Sequence, residues 1–220
     1  MLTKPADMPT KLRDRASGFT LIEMVVAIGI FALLVALTVP AMQVWIANAK
    51  VRAVADALQN GVRLAQAESL RRSRQVVFAL TTNTTPQNGT FTAAANGTYW
   101  AIQTIPAMTD GTEAPVVVNT GVLTSAGSNV TITGQAAICF NSMGRLVANS
   151  STGVVGGTCT VPTAGVNSST VPTLNYIINL NTAGGAKLAD HPLQVEVALG
   201  GQVHLCDPNQ TLSNSNPYGC

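Results

Sequence analysis

Side chains able to do chemistry are sparse in this chain and unevenly placed. Its 220 residues include two histidines and four cysteines, and only 10% are charged. His191 precedes a proline in a loop-like stretch and His204 alternates within a strand-like one. Neither stands in a zinc pattern with the cysteines, and no CxxC or HxxxH pair exists. There is no G-x-S-x-G, no P-loop and no recognisable Ser, His and Asp arrangement, so no enzyme activity, metal or cofactor is expected. The cysteines Cys139, Cys159, Cys206 and Cys220 suit export to an oxidising space. Of three possible pairings, Cys139 with Cys159 and Cys206 with Cys220 is favoured. Each bond closes a loop of about 15 to 20 residues, worth about 3 kcal/mol in the chain-entropy account. The second would tie down a polar tail; free thiols or a metal site are the alternatives.

Charge singles out two further places. Lys50, Arg52, Arg63, Arg71, Arg72 and Arg74 lie on one segment, after which only Arg145 and Lys187 face Asp110, Glu113, Asp190, Glu196 and Asp207. A patch of Arg71, Arg72, Arg74 and Arg145 would be needed to attract nucleic acid. A solvated helix end is the simpler account, residues 200–220 carry no Lys or Arg, and nucleic acid is not an expected partner. The other place is Glu23, a lone carboxylate heading an apolar run that meets no charge until Lys50. Driven to a bilayer centre a carboxylate costs about 2.5 to 3.5 kcal/mol, and less near the interface. Glu23 therefore needs a partner, or a helix first turn whose dipole favours an acid.

The elements that position these residues follow from hydrophobic pattern. Residues 24–39 are uncharged, and about 20 apolar residues span a bilayer as a helix. Residues 1–18 read as a targeting leader, with Lys4, Lys11, Arg13 and Arg15 against Asp7 and Asp14. The basic cluster keeps that end cytoplasmic and places the C-terminal body across the membrane. Met8 offers a second start. Of 12 basic and 10 acidic side chains the leader holds four and two, so the remainder balances at eight of each. A secretory signal cleaved after Ala47-Asn48-Ala49 is the competing account, but the apolar run exceeds a typical signal and the helical pattern continues through Ala49. Pro40 removes one backbone hydrogen bond and, with Gly29 weakening the same stretch, predicts a kink.

Past the apolar run, Val44, Val51, Val54, Ala55, Leu58, Val62 and Ala65 recur at three-and-four spacing, one buried face of a helix continuing to about residue 74. Glu68 precedes Arg72 by four, and Arg71, Arg72 and Arg74 sit where the helix dipole favours cations. The period then changes. Residues 75–80, 99–105, 116–118, 130–133, 136–140, 174–180, 194–199 and 202–206 read as short strands, the last two joined by Gly200-Gly201 as a hairpin. Residues 81–97, 144–173 and 207–220, rich in Ser, Thr, Asn and Gly, read as surface loops. The fold class is α+β: a long N-terminal helix packed on an antiparallel β-sheet domain. The expected division is a leader, 1–18, an apolar helix half, 19–48, and a body, 49–220. Within the body an amphipathic helix half covers 49–74, strands cover 75–206, and a disulfide closes the tail at 206–220.

The stretch Gly-Phe-Thr-Leu-Ile-Glu at residues 18–23, with the apolar run after it, resembles the cleavage motif of type IV prepilins and type II secretion pseudopilins. AQAESLRRSRQVVFAL (65–80), ICFNSMGRL (138–146) and VEVALGGQVHLCDPN (195–209) resemble the GspH/FimT/FimU group of minor pilins and pseudopilins, closest to its FimU-like members. The resemblance implies a type IV pilin-like fold and cleavage by a prepilin peptidase between Gly18 and Phe19. It implies N-methylation of Phe19 and a role for Glu23 in neutralising a neighbouring subunit's new amine during assembly. Partners would be the peptidase, other major and minor pilins, and the inner membrane before assembly. The chain would sit there as a single-pass protein with a periplasmic body, then join a filament at the cell surface, priming or capping it. A GspH-like pseudopilin of a type II secretion system and a FimT-like DNA-uptake pilin are the alternatives.

Overall fold

A computed structural model describes residues 18–108, 112–123, 130–163, 172–180 and 191–220. Of the expected leader, 1–18, residues 1–17 lie outside these, as does the side chain of Pro40, where the sequence predicts a kink. Among the described residues the chain forms one long helix, α1 (Leu21–Arg72), followed by eight strands. It divides into two compact units, Met1–Met42 and Gln43–Cys220.

From Leu21 the first unit is helix, with its described side chains exposed on every side, Leu34 for example at 55%. An apolar stripe on one face would mark a globular partner; apolar residues all round call for lipid or a bundle of like helices. Thr38 is the one polar side chain from Met24 to Met42, and it bonds within its own helix, donating to the carbonyls of Leu34 (3.1 Å) and Val35 (3.2 Å). That leaves no unsatisfied hydroxyl for an apolar surrounding to penalise.

In the second unit the helix becomes one-sided. Ala47, Val51, Val54, Ala55, Leu58, Val62 and Ala65 are buried, and Ser69 extends the same face by one turn. Val44, expected there, is only half-buried. The strands β1 (Val76–Thr81), β2 (Tyr99–Thr104), β3 (Val117–Val122) and β5 (Ala137–Phe140) form one antiparallel sheet in the order β3-β2-β1-β5. A second antiparallel sheet takes β4 (Val130–Thr133), β6 (Thr173–Leu180), β7 (Leu193–Ala198) and β8 (Val203–Cys206) in the order β4-β6-β7-β8. One apolar core joins the helix face to both, through Phe78, Leu80 and Ile138 of the first sheet and Tyr176, Ile178 and Val195 of the second.

Close approach of helix to sheet depends on Gly61. A Cβ there would stand 3.0 Å from the Phe78 ring and 3.2 Å from that of Trp100. Those two rings stack at 5.8 Å between centroids. Trp100 also lies over Gly121, its cross-strand partner on β3, where a Cβ would fall within 2.4 Å of the indole. The strand expected at 116–118 is longer for this reason: Asn119 and Gly121 are poor strand formers, but the indole covers the gap the glycine leaves.

The two sheets differ in their outer faces. β6 alternates, with Asn175 and Ile177 outward, whereas β1 is buried on both faces. Its second face, Val77 and Ala79, continues through Ala101 of β2 and Cys139 of β5 and is covered by Phe91, Val154 and Cys159. This corrects the reading of 81–97 and 144–173 as surface loops: parts of both are lids on the first sheet. Gln103, fully buried, fastens them, its Oε1 accepting from the Gly89 N–H (2.7 Å) and its Nε2 donating to the Gly153 carbonyl (3.4 Å). Gln66 of the helix similarly donates to the Gly144 carbonyl (2.9 Å), and Gly144 and Gly201 both adopt positive φ at tight turns near it.

Candidate assembly site

The chemistry-bearing residues fall into three places. Just before the helix, Gly18 and Phe19 are exposed, Phe19 at 79%. Thr20 is the N-cap: its Oγ1 accepts the N–H of Glu23 at 3.3 Å. Glu23 stands at the third helical position, among N–H groups that have no intrahelical acceptor and carry the positive end of the dipole. A Thr-x-x-Glu spacing is the signature of a capping box. It was present in the sequence, and Thr20 is the residue that reading for charge alone passes over. The arrangement sets the helix start and presents an exposed carboxylate four residues beyond an exposed Phe19. A carboxylate so placed can accept from a cation and bind an amine. Its one shortcoming as a self-contained site is that it holds no cation.

The second place is the other end of the helix. Glu68 accepts from Arg71 Nη2 at 2.7 Å and Arg72 Nε at 2.9 Å. Hydrogen bonds from Arg71 first, and then Arg72, hold its carboxyl below the usual range. Arg74 pairs with Glu113. Three of the four arginines considered for a nucleic-acid patch therefore carry a carboxylate partner; Arg145 is exposed on the turn after β5.

The third place is the cysteines. Cys139 of β5 is joined to Cys159 within the lid of the first sheet, with 5.7 Å between Cα atoms. Cys206 of β8 is joined to Cys220 at 5.2 Å. The second bond folds the tail back on the strand end, where Asp207 N–H donates to the Tyr218 carbonyl at 2.8 Å and Cys220 N–H to that of Gln210 at 3.0 Å. Glu196, Cys206 and Cys220 form the one metal-like grouping among the described residues, and a disulfide occupies both sulfurs. His191 lies exposed in a loop, its N–H donating to Asn48 Oδ1 at 3.4 Å, and His204 faces solvent opposite Glu196 on β7.

An apolar helix headed by a capped carboxylate, continuous in the chain with a helix packed on antiparallel sheets, has the layout of a subunit with an N-terminal membrane anchor. Comparison with known proteins agrees with that class. Residues 13–39 match the prokaryotic N-terminal methylation motif, and residues 54–184 match the family described as type II transport protein GspH. The chain belongs to the GspH family, and it is a minor pilin or pseudopilin. Among solved structures it is similar to the type IV minor pilin FimU of Pseudomonas aeruginosa, at 13% identity and a TM-score of 0.42, over 72% of this chain and 94% of that one. It is also similar to the minor pseudopilin EpsH of the type 2 secretion system of Vibrio cholerae, at 9% identity and a TM-score of 0.42, over 73% and 99%. No curated protein matches the sequence.

Proposed function

We propose that the chain is a type IV minor pilin, cut between Gly18 and Phe19 and N-methylated at Phe19. It would be held in the inner membrane by the apolar helix half, 19–48, with its body, 49–220, in the periplasm. It then enters a filament beside other pilins, where it primes or caps assembly. The observation that carries this is the pairing, on one chain, of the methylation motif at 13–39 with the GspH family match at 54–184. Physical support comes from the helix head. Cleavage creates an α-amino group four residues before Glu23, and an amine brought to that carboxylate by a neighbouring subunit would pay for burying it among apolar helices.

N-terminal sequencing of the mature protein tests the route: a start at Phe19 with a methylated amine is expected, and a start at Lys50 would mean an ordinary secretory signal. Glu23→Ala is expected to leave insertion intact and to reduce recovery in sheared filaments by about tenfold or more, the loss of a single buried ion pair. The second reading, a pseudopilin of a type II secretion system, is favoured by the name of the family itself. Deleting the gene and scoring pilus formation against secretion of exoproteins separates the two.

A further inference from the structure

The outer strands of the body are β3 and β5 in one sheet and β4 and β8 in the other, and on each of them the body itself holds outward backbone groups. β5 is met by the return of its own turn, Val147 donating its N–H to the Cys139 carbonyl at 2.9 Å. On β8 the Val203 carbonyl accepts from Arg63 Nη2 at 3.1 Å, and just past the strand the Asp207 N–H donates to the Tyr218 carbonyl at 2.8 Å. On β3 and β4 the partners are asparagine side chains. Asn96 Oδ1 accepts the Ile132 N–H of β4 at 2.7 Å. Asn88 Oδ1 and Asn119 Oδ1 accept the Val117 and Thr120 N–H groups of β3, at 2.6 and 2.8 Å.

β3 is the edge with most need of this. Residues 114–123, APVVVNTGVL, carry no charge, and Val116 and Val122 are each 45% exposed. Edges are commonly guarded by a charge, lysine above all, and an uncharged strand rich in valine is a template for another strand. Its register shows what a newcomer would meet. Leu123 donates its N–H to the Thr98 carbonyl at 2.9 Å, and Gly121 and Asn119 stand opposite Trp100 and Ile102. Alternation along the strand therefore turns the Thr120 N–H away from β2. Beyond the register shift between Ile102 and Gln103 the N–H turned away is that of Val117, and Pro115, two residues earlier, has none. An added strand seeks an N–H at every second residue. At 115 there is nothing to find, and at 117 and 120 an asparagine oxygen is already in place.

We propose that Asn88 and Asn119 are edge caps that keep β3 from pairing with β3 of a second copy of the chain, and that Asn96 caps β4 in the same way. Two β3 strands are the natural partners at an uncapped edge, because an antiparallel pair related by a two-fold axis presents each strand with its own complement. An asparagine closes the ladder without adding charge, so side chains of a neighbour can still approach this face while its backbone cannot join the sheet. The closure concerns the body alone and holds for a pilus subunit and a secretion pseudopilin alike.

The test uses the full chain in detergent micelles, with light scattering for self-association and infrared spectra for intermolecular sheet. Relative to wild type, Asn119→Ala should tighten self-association about tenfold, the worth of one backbone hydrogen bond made between copies. Asn88→Ala combined with Asn119→Ala should tighten it further and bring up the intermolecular sheet band. Asn88→Asp combined with Asn119→Asp keeps an acceptor on each N–H and should leave the chain as dispersed as wild type. Near-ultraviolet dichroism reports whether each body stays folded. Asn119 Oδ1 holds only the N–H of the next residue, so Asn119→Ala keeps the question decidable if loss of the Asn88 side chain loosens residues 81–97. Alanine variants that stay folded and associate no more than wild type overturn the proposal, as does association without the intermolecular band. Aspartate variants that associate as strongly as the alanine variants overturn it too, since the acceptor oxygen would then not be what blocks the edge.

Discussion

The two halves of α1 have the same backbone and opposite relations to their surroundings. Up to Met42 every described side chain is exposed and almost all are apolar; from Gln43 on, one face is buried to 0% and the other is charged. The second half gains its stability from the sheets it covers. The first buries no described side chain, and its sequence makes sense only with a membrane or neighbouring helices around it. Fold and assembly are thus written on different stretches of one helix.

The sharpest test of that division compares one leucine from each half. Leu58→Ala deletes a fully buried side chain and leaves a cavity between helix and sheets, costing about 2 to 5 kcal/mol. For a chain this size the melting temperature should fall by on the order of 5 to 15 °C. Leu34→Ala, in detergent, should leave the melt of the body unchanged while weakening recovery in filaments. If Leu34→Ala lowered the melt as Leu58→Ala does, the halves would not be independent.

The glycines supply a second pair with a smaller effect. Gly29 has nothing within 4 Å of an added Cβ, so Gly29→Ala should only firm the helix, by up to about 1 kcal/mol. Gly61→Ala gains the same propensity but drives a methyl onto Phe78 and Trp100. Those rings are stacked on each other and buried, so neither can yield, and overpacking of about 1 to 3 kcal/mol should win by a small margin. Thermal melts followed by near-ultraviolet dichroism should show Gly61→Ala lowering the melt of the body and Gly29→Ala leaving it unchanged, its gain appearing only as helix content in the far ultraviolet.

Much of this was legible beforehand, and the failures have physical causes. The helix face from Val51 to Ala65 is readable because burial on a helix imposes its own period, and β6 because one solvated face imposes alternation. β1 shows no such alternation, since lids cover its outer face. What makes those lids is a few apolar residues, Phe91 and Val154 chief among them, in stretches whose Ser, Thr, Asn and Gly content reads as surface. Nothing local tells a strand which sheet it joins, so one expected layer of strands became two. Gln103 and Gly61 are invisible for the same reason: their roles are set by neighbours distant in sequence. At the assembly end the situation reverses. Residues 18–23 act locally, and the whole motif, including the Thr20 cap, is printed in order.

The smallest expected effect lies where the packed half of the helix ends, at Glu68. An acid in a last turn meets the negative end of the helix dipole, and Arg71 and Arg72 must offset that. Because their hydrogen bonds lower the folded-state pKa below the ordinary 4.5, the group contributes stability above about that pH. The contribution is lost as pH falls through the folded value, when the carboxyl takes up a proton. Glu68→Gln should therefore be slightly less stable than wild type at pH 7, and the two should converge in denaturant melts taken well below pH 4.5. Arg71 is 62% exposed, so salt screening should shrink the difference at pH 7 as well. A gap that persisted at low pH would mean that Glu68 acts through packing rather than charge. The packed half of the helix would then owe its end, like its middle, to contacts that the charge pattern does not report.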